Sequence, residues 1–153
     1  MRAPVLAVAT WLSVVAMTTV HRGHEVEMKK LTPVLTVESI EPALPFWEDR
    51  LGFQRTMEVP GERGLAFAGF QKDGVEIMYQ TLASVVEDLP ALADLPLGGN
   101  LMFIEIDDID GVEVALEGAD IVRPRRKTFY GSTEIVVREP GGNLIIFAEM
   151  DSD

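Results

Sequence analysis

The side chains that do most enzyme chemistry are scarce in this chain. It has no cysteine, which removes thiolate nucleophiles, disulfides, thiolate metal sites and iron–sulfur clusters. It has two histidines, His21 and His24, both near the N-terminus, and none from residue 29 onward. A His-based triad or a site of two His and one carboxylate has no source in that stretch. Carboxylates remain. Glu76 lies between Val75 and Ile77 on an apolar strand, where burial would raise its pKa and suit it to acid–base work. It is the one weak catalytic candidate. Glu76, Glu105, Glu134 and Glu149 could supply oxygens to Mg or Ca, but solvent-facing strand charges have the same spelling. Ser132 and Thr133 read as strand-start residues, not nucleophiles.

A second set could bind without reacting. Trp47, Phe67, Phe70, Phe103, Phe129 and Tyr130 offer faces that attract cations and stack on flat heterocycles. Phe67 and Phe103 read as core. Trp47, on a helix, reads as core or as a ligand contact. Tyr130 stands beside Gly131 and ahead of a strand, where its phenol can stack and donate a hydrogen bond. Arg123–Pro124–Arg125–Arg126–Lys127 puts four positive charges in five residues. It reads as a solvated loop, or as a pocket rim where Arg126 would hold a carboxylate or phosphate in bidentate fashion. The chain as a whole has 25 acidic and 13 basic residues, a formal charge of −12. That balance excludes general nucleic-acid binding, disfavours anionic membranes and draws in cationic ligands.

The elements that must hold these residues follow an uncharged stretch, residues 3–20. It reads as a false start ahead of Met28, as a secretory signal cleaved after residue 16, or as a membrane anchor. The false start implies a cytoplasmic protein, a cleaved signal a secreted one, and a retained anchor a membrane partner. From residue 31 the pattern is regular. Residues 31–37 predict a strand, and Leu44, Trp47 and Leu51 a helix with Ser39 as N-cap and Pro45 in its first turn. Strands are expected near 53–59, 64–71 and 75–81, with Asp73–Gly74 as a hairpin turn. The second half repeats this order: a strand at 100–106, a helix capped by Asp108 or Asp110 and ended by Gly118, then strands near 119–123, 132–138 and 143–149. The offset is about 69 residues at the start, where Val37 matches Ile106, and 68 at the end, where Met78 matches Ile146. Modules 31–81 and 100–149 are joined by linker 82–99, where Ser84–Val85–Val86–Glu87 spells a capping box. The linker reads as a connector or as a lid.

Two βαβββ modules in this order resemble the vicinal oxygen chelate superfamily, the glyoxalase, bleomycin-resistance and dioxygenase family. The resemblance rests on Val34–Val37, Pro45–Phe46–Trp47, Leu51–Gly52–Phe53, Asp73–Met78, Tyr130–Glu134 and Glu139–Phe147. It covers residues 29–150; the domain is taken as 29–153. Where the family usually has Asp-Pro-Asp-Gly-Asn, this chain has Glu139–Pro140–Gly141–Gly142–Asn143. The resemblance implies an α+β fold: a pseudo-symmetric, incompletely closed pair of half-barrels around a cavity, in a homodimer. It places the face of strand 75–81 that carries Glu76, Met78 and Gln80 toward the cavity. It puts Thr32, Met78, Leu101 and Ile146 at the family's metal-ligand positions, and none of these is a competent ligand. The expectation is a domain without metal or other cofactor that binds a small organic molecule, as in antibiotic sequestration, with Tyr130, Trp47, Met78, Gln80, Arg126 and Glu134 as its ligand contacts. An enzyme using Glu76, with or without Mg, and a structural module without ligand are the alternatives.

Overall fold

The structure, a computed structural model, describes residues 27–152. The uncharged stretch and both histidines lie outside the described residues. Residues 27–30 belong to a separate N-terminal unit and carry no regular structure.

The unit from Leu31 onward holds two four-stranded sheets. The first contains β1 (Val34–Val37), β2 (Gln54–Gly61), β3 (Gly64–Lys72) and β4 (Val75–Thr81), in the order β1-β4-β3-β2. The second contains β5 (Leu101–Glu105), β6 (Asp120–Lys127), β7 (Ser132–Arg138) and β8 (Leu144–Met150), in the order β5-β8-β7-β6. In each sheet the first strand pairs parallel with the last, and the other pairs are antiparallel. The fold is α+β, two modules whose sheets are not closed into a barrel. Val34 pairs with Met78, and Phe103 with Ile146, so the sequence offset is also a structural equivalence.

Alternation along the strands sorts the side chains. Leu35, Val37, Ile77 and Tyr79 of the first sheet, with Ile135, Val137, Ile145 and Phe147 of the second, point inward and join one buried core. The first helix of each module lies on this inner side. Pro45–Arg50 forms a short, wide π-type helix with Pro45 in its first turn, and it buries Phe46 and Trp47. α2 (Ile109–Ala115) is capped by Asp108, whose carboxylate accepts from Gly111 N–H at 2.9 Å, and it buries Ile109. The opposite face of the second sheet is left open, and that of the first is covered only in part, by the helix of the linker.

Several expectations need correction. Ser39 does not cap the first helix; its hydroxyl donates to Glu41. The linker helix α1 (Leu82–Asp88) starts a turn before the capping-box spelling, with Thr81 as cap. The Arg123–Lys127 run is not a loop. It is part of β6, where Pro124 sits on an edge strand at a break in register and breaks no ladder. Asp73 and Gly74, with φ of 49° and 83°, form the expected tight turn. No helix among the described residues is long and apolar enough to cross a membrane.

Candidate functional site

The open face of the second sheet carries the densest polar cluster. Its rows follow from register. One row runs from Phe103 over Ile146 to Val136, and the next from Glu105 over Ala148 to Glu134 and Arg126. Ala148 is fully buried and has the smallest side chain of its row, so Glu105 and Glu134 flank a notch. Glu134 is 1% exposed. Its Oε1 accepts from the Tyr130 hydroxyl and from Ser132 Oγ at 3.0 Å. Its Oε2 lies 3.6 Å from Arg126 Nη2 and accepts no hydrogen bond among the described residues. A buried carboxylate with one oxygen saturated and the other facing a half-exposed guanidinium has bonding capacity left over. The bond to Glu134, then desolvation, holds the Tyr130 phenol above its ordinary pKa, which keeps it a donor. Phe129 packs edge-on to Tyr130 and is 99% exposed; Phe103, Leu101 and Met150 are exposed on the same side.

Of the six expected ligand contacts, Tyr130, Arg126 and Glu134 come together here. Met78 and Gln80 lie on the open face of the other sheet. Gln80 Nε2 donates to Ser84 Oγ at 3.0 Å and Asp88 Oδ2 at 3.1 Å, so its amide is spent on α1, which lies against that sheet. Trp47 is corrected outright. It is fully buried on the inner side, and its Nε1 donates to Tyr79 Oη at 2.7 Å. Phe103 is corrected in the other direction, from core to exposed, and Phe67 is half-buried opposite Gln80, on the open face. Phe70 is core.

The cationic run is answered by carboxylates: Arg125 bonds Asp110 and Glu113, Arg126 faces Glu134, and Lys127 bonds Asp151 at 3.3 Å. Glu76 accepts from Thr32 Oγ1 at 3.4 Å on the first sheet's open face. Glu149 is turned to the inner side, where Oε2 accepts from Ile109 N–H at 2.7 Å. The four strand glutamates are therefore not one oxygen cage, and no group of three or more His, Cys, Asp or Glu among the described residues could hold a metal ion. Met78 and Ile146, paired with Val34 and Phe103, offer a thioether and an alkyl group where the family's carboxylates would stand. This donor set does not fit the family's metal.

Sequence reasoning missed a second polar cluster, on the inner side. Tyr79 Oη donates to Glu139 Oε2 at 2.7 Å. Glu139, 1% exposed, also accepts from Gly141 N–H, Asn143 N–H and Asn143 Nδ2 at 2.8, 2.7 and 2.6 Å. Burial, then the Glu139 charge, pushes the Tyr79 phenol far up. The signal was the Glu139–Asn143 turn spelling, which by itself names no partner for Glu139.

Comparison with known proteins agrees with this architecture. Among solved structures, a glyoxalase/bleomycin resistance protein/dioxygenase from Nocardioides superposes with a TM-score of 0.66 at 22% identity, covering 83% of this chain and 87% of that one. The bleomycin-binding protein of bleomycin-producing Streptomyces verticillus, complexed with copper(II)-bleomycin, gives 0.55 at 23% identity, covering 84% and 99%. Lactoylglutathione lyase from Agrobacterium tumefaciens gives 0.63 at 16%, covering 80% and 94%. Likeness at these identities speaks for the fold. No curated protein matches in sequence. The description Glyoxalase/Bleomycin resistance protein/Dioxygenase superfamily matches residues 30–147. With its paired βαβββ modules, the chain belongs to that superfamily.

Proposed function

We propose that this protein binds a small organic molecule on the open face of its second sheet, as in antibiotic sequestration, without the family's metal. The observation that carries the reading is Glu134: a buried carboxylate with one oxygen held only by a long ion pair to Arg126, beside a tyrosine donor and near exposed aromatic side chains. Such a face suits a flat ligand with a hydrogen-bond donor or positive charge. The net charge of −12 favours the same class by long-range attraction. Val34, Leu101 and Phe103 leave apolar area exposed on the open faces, which supports a homodimer in which a second copy closes the cavity.

The test is native mass spectrometry of the full chain with elemental analysis of the same sample, followed by titration with copper(II)-bleomycin and with small carboxylates. The expected result is a metal-free dimer that binds the cationic probe stoichiometrically, weakened at least about tenfold by Tyr130→Ala. Stoichiometric protein-bound metal, or a turnover that Glu76→Gln abolishes, would move the chain to the enzymes. Binding of carboxylates alone would shift the site to the Arg126 side of the notch. No binding of any probe would leave a structural module.

A further inference from the structure

The two modules create two clefts on the inner side, and the module repeat relates them through the strand register. One is lined by Pro42, Phe46 and Arg50 of the first module and Arg138, Glu139 and Pro140 of the second, with a volume of about 430 Å3. In the other, Gly111 stands for Pro42, Ala115 for Phe46, Lys72 for Glu139 and Asp73 for Pro140; its volume is about 630 Å3. The enlargement has a physical cause. In the smaller cleft a long turn, Glu139–Asn143, folds over the end of β1. A Cβ on Gly141 would stand 2.8 Å from Val37 Cγ1, so the turn backbone lies directly on that strand. Leu35 and Val37 are each 3% exposed as a result. The matching turn in the first module, Lys72–Val75, is one residue shorter and does not cover β5. Ile104 and Ile106, the counterparts of Leu35 and Val37, are left half-buried and line the larger cleft. Its floor is completed by Phe53, Val75, Val112 and Phe147.

We propose that this larger cleft is a second small-molecule site, separate from the open face, and that it takes an amphipathic amine with a single-ring apolar body. The volume lies within the range of about 300–1,000 Å3 that small-molecule sites occupy. The apolar floor matches the ring. The mouth sets the sign of the head group. Its two cations are turned onto backbone carbonyls: Lys72 Nζ donates to Leu51 O at 2.7 Å, and Arg50 Nη1 to Ala115 O at 3.1 Å and Glu117 O at 2.6 Å. Asp108 caps α2. Asp73 and Asp107 make no hydrogen bond or ion pair among the described residues, so they remain for a cation entering over Ile106.

The test uses the 15N-labelled full chain and three matched probes: 2-phenylethylamine, 2-phenylethanol and 3-phenylpropionate. Fragments of this size commonly bind with Kd of about 1 mM, so amide shifts are the readout. The amine is expected to shift the amides of Ile104 to Asp108 and Gly111 to Ala115, and to bind at least about fivefold more tightly than the alcohol. Ala115→Phe, which restores the residue of the smaller cleft, is expected to weaken it at least about tenfold. Tyr130→Ala is expected to leave the cleft shifts within about twofold, because that residue stands on the other face. If Ala115→Phe does not fold, Asp107→Asn carries the test, with loss of the preference for amine over alcohol. The site is overturned by shifts absent from the cleft, or by a folded Ala115→Phe that binds as before. The amine class is overturned by equal binding of the three probes.

Discussion

The two modules share a strand order and a register, yet they use equivalent positions in opposite ways. On the open faces, Phe67 and Gln80 of the first sheet stand where the second has Glu134 and Ala148. The first module spends Gln80 on α1 and keeps that row without a carboxylate. The second has no such cover and presents a buried carboxylate beside Tyr130. On the inner side the roles are reversed. The second module's longer turn sends Glu139 to Tyr79 and narrows one cleft, whereas the first module's tight turn leaves the other wide. A repeated backbone therefore fixes where a site can exist, and a few side chains with one turn length decide where the space is filled.

The sharpest test compares Glu139 with its counterpart Lys72. Glu139→Ala leaves the Tyr79 hydroxyl, the Asn143 amide and two backbone N–H groups facing a hole. The expected loss is about 3–5 kcal/mol in urea unfolding, the usual cost of breaking a buried charged network. Lys72 is exposed and holds one carbonyl, so Lys72→Ala is expected to cost less than about 1 kcal/mol. Equal costs would mean that the two counterpart contacts are energetically alike and the asymmetry is one of shape alone.

Next in size is Glu134→Met, which gives the second sheet an apolar residue where the first has Phe67. Ser132 keeps a partner in Thr128 Oγ1 at 2.8 Å, and the half-exposed Tyr130 hydroxyl can turn to water. Removing a buried, partly paired carboxylate is then expected to change stability by less than about 2 kcal/mol, and to raise it if desolvation dominates. Ligand binding to the open face is expected to fall at least about tenfold in the same variant. A large loss of stability with binding intact would assign Glu134 to the core and dissolve the contrast between the faces.

Much of this contrast could be read from residue order, and some could not. Strand alternation put Met78 and Gln80 opposite Tyr79, and glycine placement marked the Asp73–Gly74 turn, because both are local effects. Tyr130 and Glu134 each read as a candidate, but their meeting depends on the turn ahead of β7 folding back onto the strand. Trp47 was ambiguous because a helix face has no inside until a sheet covers it. The Arg123–Lys127 run looked like a loop because charge and Pro124 weigh against a strand, and only an edge position tolerates them. Gln80 looked available because the capture by α1 depends on how the linker folds back. The wide cleft is spelled by two turns of unequal length, but its consequence for Ile104 and Ile106 appears only when the modules are placed together.

The tyrosines extend the comparison to pH, one from each module. Both phenols are raised above their ordinary value near 10, Tyr79 by burial first and Tyr130 by its bond to Glu134 first. A folded-state pKa above the unfolded one gives stability that is full below about pH 10 and is lost as pH rises through the folded value. Absorbance at 295 nm is expected to show neither phenol ionising at pH 10 in the folded chain. Tyr130, at the surface, should titrate first and reversibly, and Tyr79 only with unfolding. Tyr130→Phe removes the early step alone. A single step shared by both would mean that the Tyr79 side of the first module is open to water.

The smallest effects concern how each helix start is tied to its own sheet. In the first module Glu41 accepts from Leu65 N–H at 2.7 Å and from Ser39 Oγ at 2.7 Å. The equivalent residue of the second module, Asp110, instead meets the Arg125 guanidinium at the surface. One tie is a charge-assisted bond to backbone, the other an exposed ion pair. The Leu65 bond, then the Ser39 bond, holds the Glu41 carboxyl below its ordinary range. Its stabilisation is therefore present above the unfolded value near 4.5 and lost as pH falls through the lowered folded value. Glu41→Ala is expected to cost under about 1 kcal/mol at pH 7, little changed by salt, and to be neutral below that folded value. Arg125→Ala is expected to matter less still and to lose its effect in about 1 M salt, where the Debye length is about 3 Å. If salt erased the Glu41 effect as well, the first module's tie would also be a surface charge contact, and the difference between the helix starts would be one of residue type without a difference in physics.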